Sequence, residues 1–245
     1  PENTEKYGAT RGISISECRD ILPELVKDFA NIYCFESSIK KLKKLLPNTE
    51  STIKPLDFEV SKMRAIKSEE ELKIIKEACR ISSLAHIRAM KSVKPGMYEY
   101  QLEAEYLHEF MSHGARACAY PSIVGGGKNS CVLHYNDNKD VLNDGDLVLV
   151  DAGCELNHYA SDITRTFPVN GKFSKEQREI YEIVLEASKK SIETVISGSN
   201  PLKAHETSVK IISQGLLDLK LLEGDLNEVI AVSYTHLRAH ETRIH

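Results

Sequence analysis

Two aspartates at the ends of strand-like segments are the residues of this sequence best suited to chemistry. Leu147–Val150 is an unbroken β-prone apolar run that predicts a buried strand, and Asp151 follows it directly. A second strand is expected around Tyr159–Phe167, and it contains Asp162. A two-residue hairpin loop at residues 156–157 would place the two aspartates directly opposite each other.

Opposed carboxylates point to a specific kind of site. Like charges that face each other across a ladder destabilise a sheet, so such a pair must share a proton or hold a cation. We consider the cation the better explanation. The alternative is a register that differs by one residue, in which Asp162 simply faces solvent, and the spacing alone leaves both open.

The elements that must position these aspartates begin with two helices. Ser68 and Glu71 have the spacing of a capping box, and an amphipathic helix is predicted from there to about Val93. A second helix is expected from Tyr98 to His113. Strand candidates follow around Ile123-Val124 and Cys131–Leu133, ahead of the hairpin.

The helix-break-helix pattern recurs after the hairpin. Ser174 and Gln177 repeat the capping-box spacing, with a helix predicted to about Ile196 and another to about Leu222. The first copy is followed by the carboxylate-bearing strands. The second copy should be followed by another sheet, so we expect a truncated domain.

The first 57 residues form a separate, smaller segment. A helix is predicted over residues 16–30, a strand over Asn31–Cys34, a basic helix over Ser37–Leu46 and a connector over Pro47–Pro55. This is too little chain for an independent core.

Composition excludes several classes of protein. A formal net charge of −4 and a pI near 6.2 give no basic footprint for nucleic acid. No apolar run is long enough to span a membrane. The six cysteines lack C-x-x-C spacing, which argues against a zinc ribbon or a thioredoxin-like site and favours free thiols in a reducing cytoplasm.

Several other residues could suggest chemistry but are better explained by structure. Gly125–Lys128 is no phosphate loop, because Ser122 stands at the first glycine position and Asn129 replaces Ser/Thr; the glycines are expected to turn the backbone near a cleft. Cys154 is interpreted as a buried thiol. The helical histidines are interpreted as structural or exposed: His86, His108 and His113.

A family resemblance lies in two stretches, Asp151–Glu155 (Asp-Ala-Gly-Cys-Glu) and Tyr159–Phe173, which contains Thr-Arg-Thr-Phe after Asp162. Both closely resemble the aminopeptidase P (Xaa-Pro aminopeptidase) family. This family belongs to the pita-bread metallopeptidases, which also include prolidase and methionine aminopeptidase. The resemblance runs from about Leu56 to Ala231.

The resemblance implies both fold and function. It implies an α+β pita-bread (creatinase/aminopeptidase-like) fold and a hydrolase that uses two manganese ions, with Asp151 chelating one ion and Asp162 bridging both. His134 matches a histidine beside the substrate, where an imidazole can donate to the carbonyl or the oxyanion. The implied reaction is release of the N-terminal residue from peptides with proline second, by a cytoplasmic enzyme for which a homo-oligomer is one expected state.

The same resemblance implies an incomplete chain. Residues 1–57 match a remnant of an amino-terminal domain, and residues 58–231 match the first part of the metallopeptidase domain. The family's remaining His and two Glu ligands have no match, so we expect the chain alone to be inactive. Residues 232–245 share no family pattern and are expected to be a non-native tail. His236 and His240 could face one metal on a helix, but they lack the expected Gly-rich strand.

Two other functions remain as alternatives. Prolidase acts on dipeptides only, and it typically carries Gly-Gly where this chain has Gly153-Cys154 and a Cys in place of Arg165. A non-catalytic pita-bread module that binds peptides or proteins is the second alternative. Such modules usually lose metal ligands, so retention of both Asp151 and Asp162 argues against it.

Overall fold

The computed structural model describes residues 4, 6, 8 and 12–232. His236, His240 and nearly all of the expected non-native tail lie outside the described residues. The chain divides into two compact units, Pro1–Lys73 and Ile74–His245. The division expected from the sequence, between residues 57 and 58, lies one helix earlier in the chain.

The first unit is a small α/β arrangement around two parallel strands, in which Asn31 pairs with Thr52. The predicted helices and the first strand are confirmed. The second strand lies inside the predicted connector, and the third helix was not foreseen. Among the described residues of this unit, Leu46 alone has a buried hydrophobic side chain, as expected for a segment too short for an independent core. The elements are α1 (Cys18–Val26), β1 (Asn31–Cys34), α2 (Glu36–Leu45), β2 (Thr52–Pro55) and α3 (Asp57–Ala65).

The second unit combines long helices with short antiparallel strands. Its elements are α4 (Glu69–Ser92, which begins just before the division), α5 (Glu99–Ser112), β3 (Ala117–Cys118), β4 (Ile123–Gly126), a 3₁₀ helix (Gly127–Cys131), β5 (Leu147–Ala152), β6 (Cys154–Leu156), β7 (Tyr159–Ala160), β8 (Ile163–Pro168), α6 (Lys175–Glu193) and α7 (Leu202–Asp218).

Local capping signals start two of the long helices. The Ser68 N–H donates to Glu71 Oε2 at 2.6 Å, and the Glu71 N–H donates back to Ser68 Oγ at 3.3 Å. Ser174 and Gln177 exchange the same pair of bonds at the start of α6. Both predicted capping boxes are therefore confirmed.

Two three-stranded sheets carry the site, in the orders β4-β5-β8 and β3-β6-β7. Alternate residues of β5 are buried, and they join one hydrophobic core with the alanine-rich face of α4 and the aromatic face of α5. This core packs against one face of the central strand. Its fully buried members include Val148, Val150, Ala85, Leu102 and Tyr106.

One predicted strand is absent. Cys131 ends the 3₁₀ helix, and the side chains of Val132 and Leu133 are 54% and 70% exposed. The apolar run has no neighbouring strand to pair with, so its β propensity does not decide its conformation. In the described part of the chain, no helix has the length and apolar content needed to cross a bilayer.

Candidate metal centre

The hairpin turn lies one residue later than predicted. Asn157 and His158 have φ angles of 49° and 68°, and Leu156 pairs with Tyr159. A two-residue turn of this type needs positive φ at both positions, which Asn tolerates and Leu resists. The predicted loop at residues 156–157 was therefore wrong.

The later turn shifts the register by two residues. Asp151 pairs with Thr164 on one side and with Ile123 on the other, so the prediction that it lies directly opposite Asp162 was also wrong. A shift of two keeps every side chain on its predicted face, whereas a shift of one would have reversed them. Asp162 therefore remains on the face of the sheet that carries Asp151.

Gly153 allows the strands to approach closely beside Asp162. The register on both sides of Gly153 continues through it, and the Ser161 N–H donates to the Cys154 carbonyl at 3.0 Å. A Cβ on Gly153 would lie 1.8 Å from the Ser161 carbonyl oxygen. Only glycine fits at this position without moving the backbone that leads into Asp162.

A tyrosine that the sequence analysis missed brings the two carboxylates together. The Tyr120 hydroxyl lies 2.6 Å from Asp151 Oδ1 and 3.0 Å from Asp162 Oδ1. The two oxygens therefore cannot be farther apart than the sum of those distances, 5.6 Å. Burial, and then the two carboxylates, raise the pKa of Tyr120 above its ordinary value, so it stays a protonated donor.

These residues line one cleft of about 300 Å³ that also contains His134. The structure thus brings together the three residues singled out from the sequence. His134 has a φ of 54°, an uncommon backbone conformation for a non-glycine residue. The cleft residues are Tyr120, Pro121, Ile123, His134, Asn136, Asp151 and Asp162.

The donor set fits part of a divalent-cation site. Within the described part of the chain, neither Asp151 nor Asp162 forms an ion pair, and one phenol cannot neutralise two carboxylates. Paired carboxylate oxygens suit hard cations. No group of three or more His, Cys, Asp or Glu side chains that could hold a metal occurs among the described residues.

Comparison with known proteins identifies the family. Residues 73–242 match the sequence profile of Metallopeptidase family M24. The chain belongs to metallopeptidase family M24. The match extends past Ala231, where the resemblance in the sequence was expected to end.

The similar M24 proteins are Xaa-Pro aminopeptidases. The chain is 43% identical to the Xaa-Pro aminopeptidase of Haemophilus influenzae, and the match covers 92% of this chain and 53% of the relative. It is also 43% identical to the Xaa-Pro aminopeptidase of Escherichia coli, and that match covers 93% of this chain and 55% of the relative. The chain thus spans about half the length of the curated relatives it matches.

Solved structures of similar proteins confirm the α+β pita-bread fold. Pseudomonas aeruginosa aminopeptidase PepP matches with a TM-score of 0.90 and 41% identity, over 95% of this chain and 56% of that one. An Escherichia coli aminopeptidase P variant in complex with substrate matches with a TM-score of 0.89 and 41% identity, over the same shares.

A buried histidine supports the M24 hairpin from behind. The Ile163 carbonyl can only accept, so His86 Nε2–H donates to it at 2.9 Å, and His86 Nδ1 accepts from the Tyr106 hydroxyl at 2.8 Å. Burial lowers the pKa of His86 to about 4, which keeps the ring neutral. The structural role predicted for His86 is confirmed, and His108 and His113 are exposed.

Cys154 is a buried thiol, as predicted. Its N–H donates to Ser82 Oγ at 3.2 Å and to Ser161 Oγ at 3.0 Å, and its Sγ lies 3.4 Å from the Ala78 carbonyl oxygen. These contacts tie the hairpin to α4 and leave the thiol facing the M24 core. Cys154 therefore has a packing role.

Proposed function

We propose that this chain carries the first metal ligands of a manganese-dependent Xaa-Pro aminopeptidase. Such an enzyme releases the N-terminal residue from peptides whose second residue is proline. The observation that carries the proposal is the cleft in which Asp151, Asp162 and His134 meet. The relatives named Xaa-Pro aminopeptidase, at 43% identity, support the same reaction.

The metal would be held by Asp151 and Asp162, with the remaining ligands coming from outside this pair. A bound divalent ion polarises a scissile carbonyl and lowers the pKa of a water molecule. An oxygen-rich ligand set suits manganese better than it suits a metal that prefers thiolate ligands. A zinc-substituted Escherichia coli aminopeptidase P in complex with product is also similar in structure, with a TM-score of 0.88, so the fold alone does not select the metal.

Side chains of this chain would position the substrate. His134 would donate a hydrogen bond to the scissile carbonyl and to the oxyanion that develops there. Tyr120 would hold the two carboxylates in their ligating orientation. Pro121 and Ile123 give the cleft an apolar lining that suits a pyrrolidine ring, and a prolyl amide offers no N–H that would need an acceptor.

The 245-residue chain by itself is proposed to be inactive. Two carboxylates leave a metal with incomplete protein ligation, and no third candidate ligand joins them among the described residues. We further propose a reducing, cytoplasmic location, because all six cysteines are free.

The test uses a longer protein that contains this chain, purified free of host aminopeptidases and assayed with excess manganese. We expect release of the first residue from an Xaa-Pro-Pro peptide and little release from the matched Xaa-Ala-Pro peptide. Asp162→Asn should abolish the release, and the 245-residue chain alone should show none.

Each of the following results would contradict one part of the proposal. Hydrolysis restricted to Xaa-Pro dipeptides would indicate prolidase activity instead. Equal rates on the proline and alanine peptides would remove the proline specificity. Metal-dependent hydrolysis by the 245-residue chain would show that Asp151 and Asp162, with groups of the tail, suffice.

A further inference from the structure

Glu99, the first residue of α5, is a fully buried carboxylate outside the metal centre. Its Oε1 accepts from the Gly126 N–H at 2.8 Å and from Asn129 Nδ2 at 3.0 Å. Its Oε2 accepts from the Tyr135 hydroxyl at 2.7 Å and from the Asp140 N–H at 3.0 Å. No ion pair involves Glu99 in the part of the chain that the structure describes.

All four donors belong to one segment, residues 126–140, which we call the cleft loop. The cleft loop also carries His134 and Asn136, two of the residues that line the cleft. A buried carboxylate without a cationic partner is tolerated only when its hydrogen bonds are complete, and its position at the start of a helix adds a favourable dipole. The Glu99 carboxylate therefore needs the donors of the cleft loop to remain buried, and the cleft loop needs the carboxylate as the acceptor for those donors.

The backbone of the cleft loop is held in conformations that need support. His134 and Asn138 have φ angles of 54° and 46°. Such conformations are strained for non-glycine residues and persist where the surroundings fix them. Tyr135, directly after His134, is tied to Glu99, and the Asn138 amide is tied to the Val124 N–H and the Ser122 carbonyl.

We propose that Glu99 is a positioning residue that acts through Tyr135 to hold His134 at the cleft. The inference rests on the proposed function, in which His134 contacts the substrate. Glu99 does not touch the cleft itself. It fixes the segment from which His134 is presented, and the four donors fix the carboxylate.

Glutamine cannot replace Glu99 in this arrangement. Each oxygen accepts one backbone N–H, from Gly126 on one side and from Asp140 on the other. Whichever way a glutamine amide is turned, its NH₂ group faces a backbone N–H that cannot reverse its role. The Glu99→Gln substitution therefore breaks at least one backbone tether while it keeps the size of the side chain.

The experiment measures amide hydrogen exchange and the His134 ring signals by NMR in the 245-residue chain. In Glu99→Gln, we expect the Gly126 or Asp140 amide to exchange about ten- to a hundredfold faster, because a hydrogen bond to a charged group is lost. Tyr135→Phe removes one tether only, so the His134 ring signals should shift while the Gly126 and Asp140 amides stay protected.

The control is Glu105→Gln, on the same helix, whose carboxylate binds Arg88 rather than the cleft loop. It should leave both readouts unchanged. Unchanged exchange in Glu99→Gln, or unchanged His134 signals in Tyr135→Phe, would overturn the proposal. If Glu99→Gln does not fold, the Tyr135→Phe spectrum alone decides between these outcomes.

Kinetics in the longer, manganese-loaded protein separate this proposal from the proposed function. If Tyr135 acts through His134, Tyr135→Phe should lower kcat with little change in KM, and it should have no further effect in a His134→Ala background. Full activity of His134→Ala would contradict the proposed function. Additive effects of the two substitutions would contradict the positioning role.

Discussion

The hairpin of β5 to β8 and the cleft loop bring side chains into the same cleft by different physical means. Asp151 is placed by backbone pairing on both sides, with Ile123 and with Thr164. His134 has no strand partner and is presented from a loop tied to Glu99 by hydrogen bonds across 27 to 41 positions of sequence. A ladder distributes its bonds along the strands, whereas four of the hydrogen bonds of the cleft loop converge on one carboxylate.

The comparison explains which predictions from the sequence survived. The aspartates remained on one face although their register was wrong, because a ladder constrains side chains in steps of two. The segment before His134 was predicted as a strand and is not one. A loop fixed by distant side chains leaves no periodic signal in its own sequence.

The largest expected effect is on activity, and it distinguishes the proposed metal ligand Asp151 from the proposed hydrogen-bond donor His134. In the longer protein with manganese, Asp151→Asn should lower kcat/KM by at least roughly a thousandfold, because loss of metal chemistry removes several kcal/mol of stabilisation. His134→Gln should lower it by roughly a hundredfold.

Elemental analysis of the purified variants supplies the control. The Asp151 variant should lose bound metal, while the His134 variant should retain it. Normal metal content in Asp151→Asn, or a larger loss of activity in His134→Gln, would reverse the roles assigned to the two regions.

A second prediction concerns the close approach that the hairpin needs. Gly153→Ala should destabilise the chain by roughly 3 kcal/mol or more, because its Cβ would meet the Ser161 carbonyl, a backbone atom that cannot turn away. Gly215→Ala is the matched control. Its Cβ would lie 2.7 Å from Cγ1, Cγ2 and Cδ1 of Ile183, so this substitution also has a cost, but the obstacle is a side chain and not the backbone.

Urea denaturation of the two variants checks this prediction. The Gly215 variant should lose less stability than the Gly153 variant, because a side chain moves more readily than a hydrogen-bonded backbone and alanine favours a helix over glycine. Equal destabilisation of the two variants would show that the hairpin does not depend on the space at Gly153.

The smallest effect tests one side-chain anchor of the hairpin, His86, through pH. Burial holds the pKa of folded His86 at about 4, below its ordinary value of 6.5. Between these values the unfolded chain binds more protons, so stability is complete above pH 6.5 and declines as the pH falls toward 4. The decline should reach the order of 3 kcal/mol at the lower end.

His86→Gln provides the comparison, since its amide can donate to the Ile163 carbonyl and accept from Tyr106 without titrating. The free energy of unfolding of the two proteins is measured from pH 4 to 7 and corrected for their difference at pH 7. As the pH falls, the free energy of unfolding should decrease more in the parent than in the His86→Gln variant. Parallel curves would mean that His86 does not couple protonation to the hairpin.

The sequence by itself determined the local parts of this protein. The capping boxes at Ser68 and Ser174 and the buried strand at Leu147–Val150 rest on interactions between near neighbours, and they formed as predicted. The hairpin turn was also within reach of the sequence. Asn157 accepts a positive φ and Leu156 does not, which favours the turn that formed.

Only the tertiary structure decided which distant groups complete the site. Tyr120 lies 31 and 42 positions from the two aspartates it contacts, and Glu99 lies 36 positions from Tyr135. Each of these contacts joins segments that the core of α4, α5 and β5 holds side by side. A hydrogen bond of about 3 Å depends on that packing, which no spacing along the chain encodes.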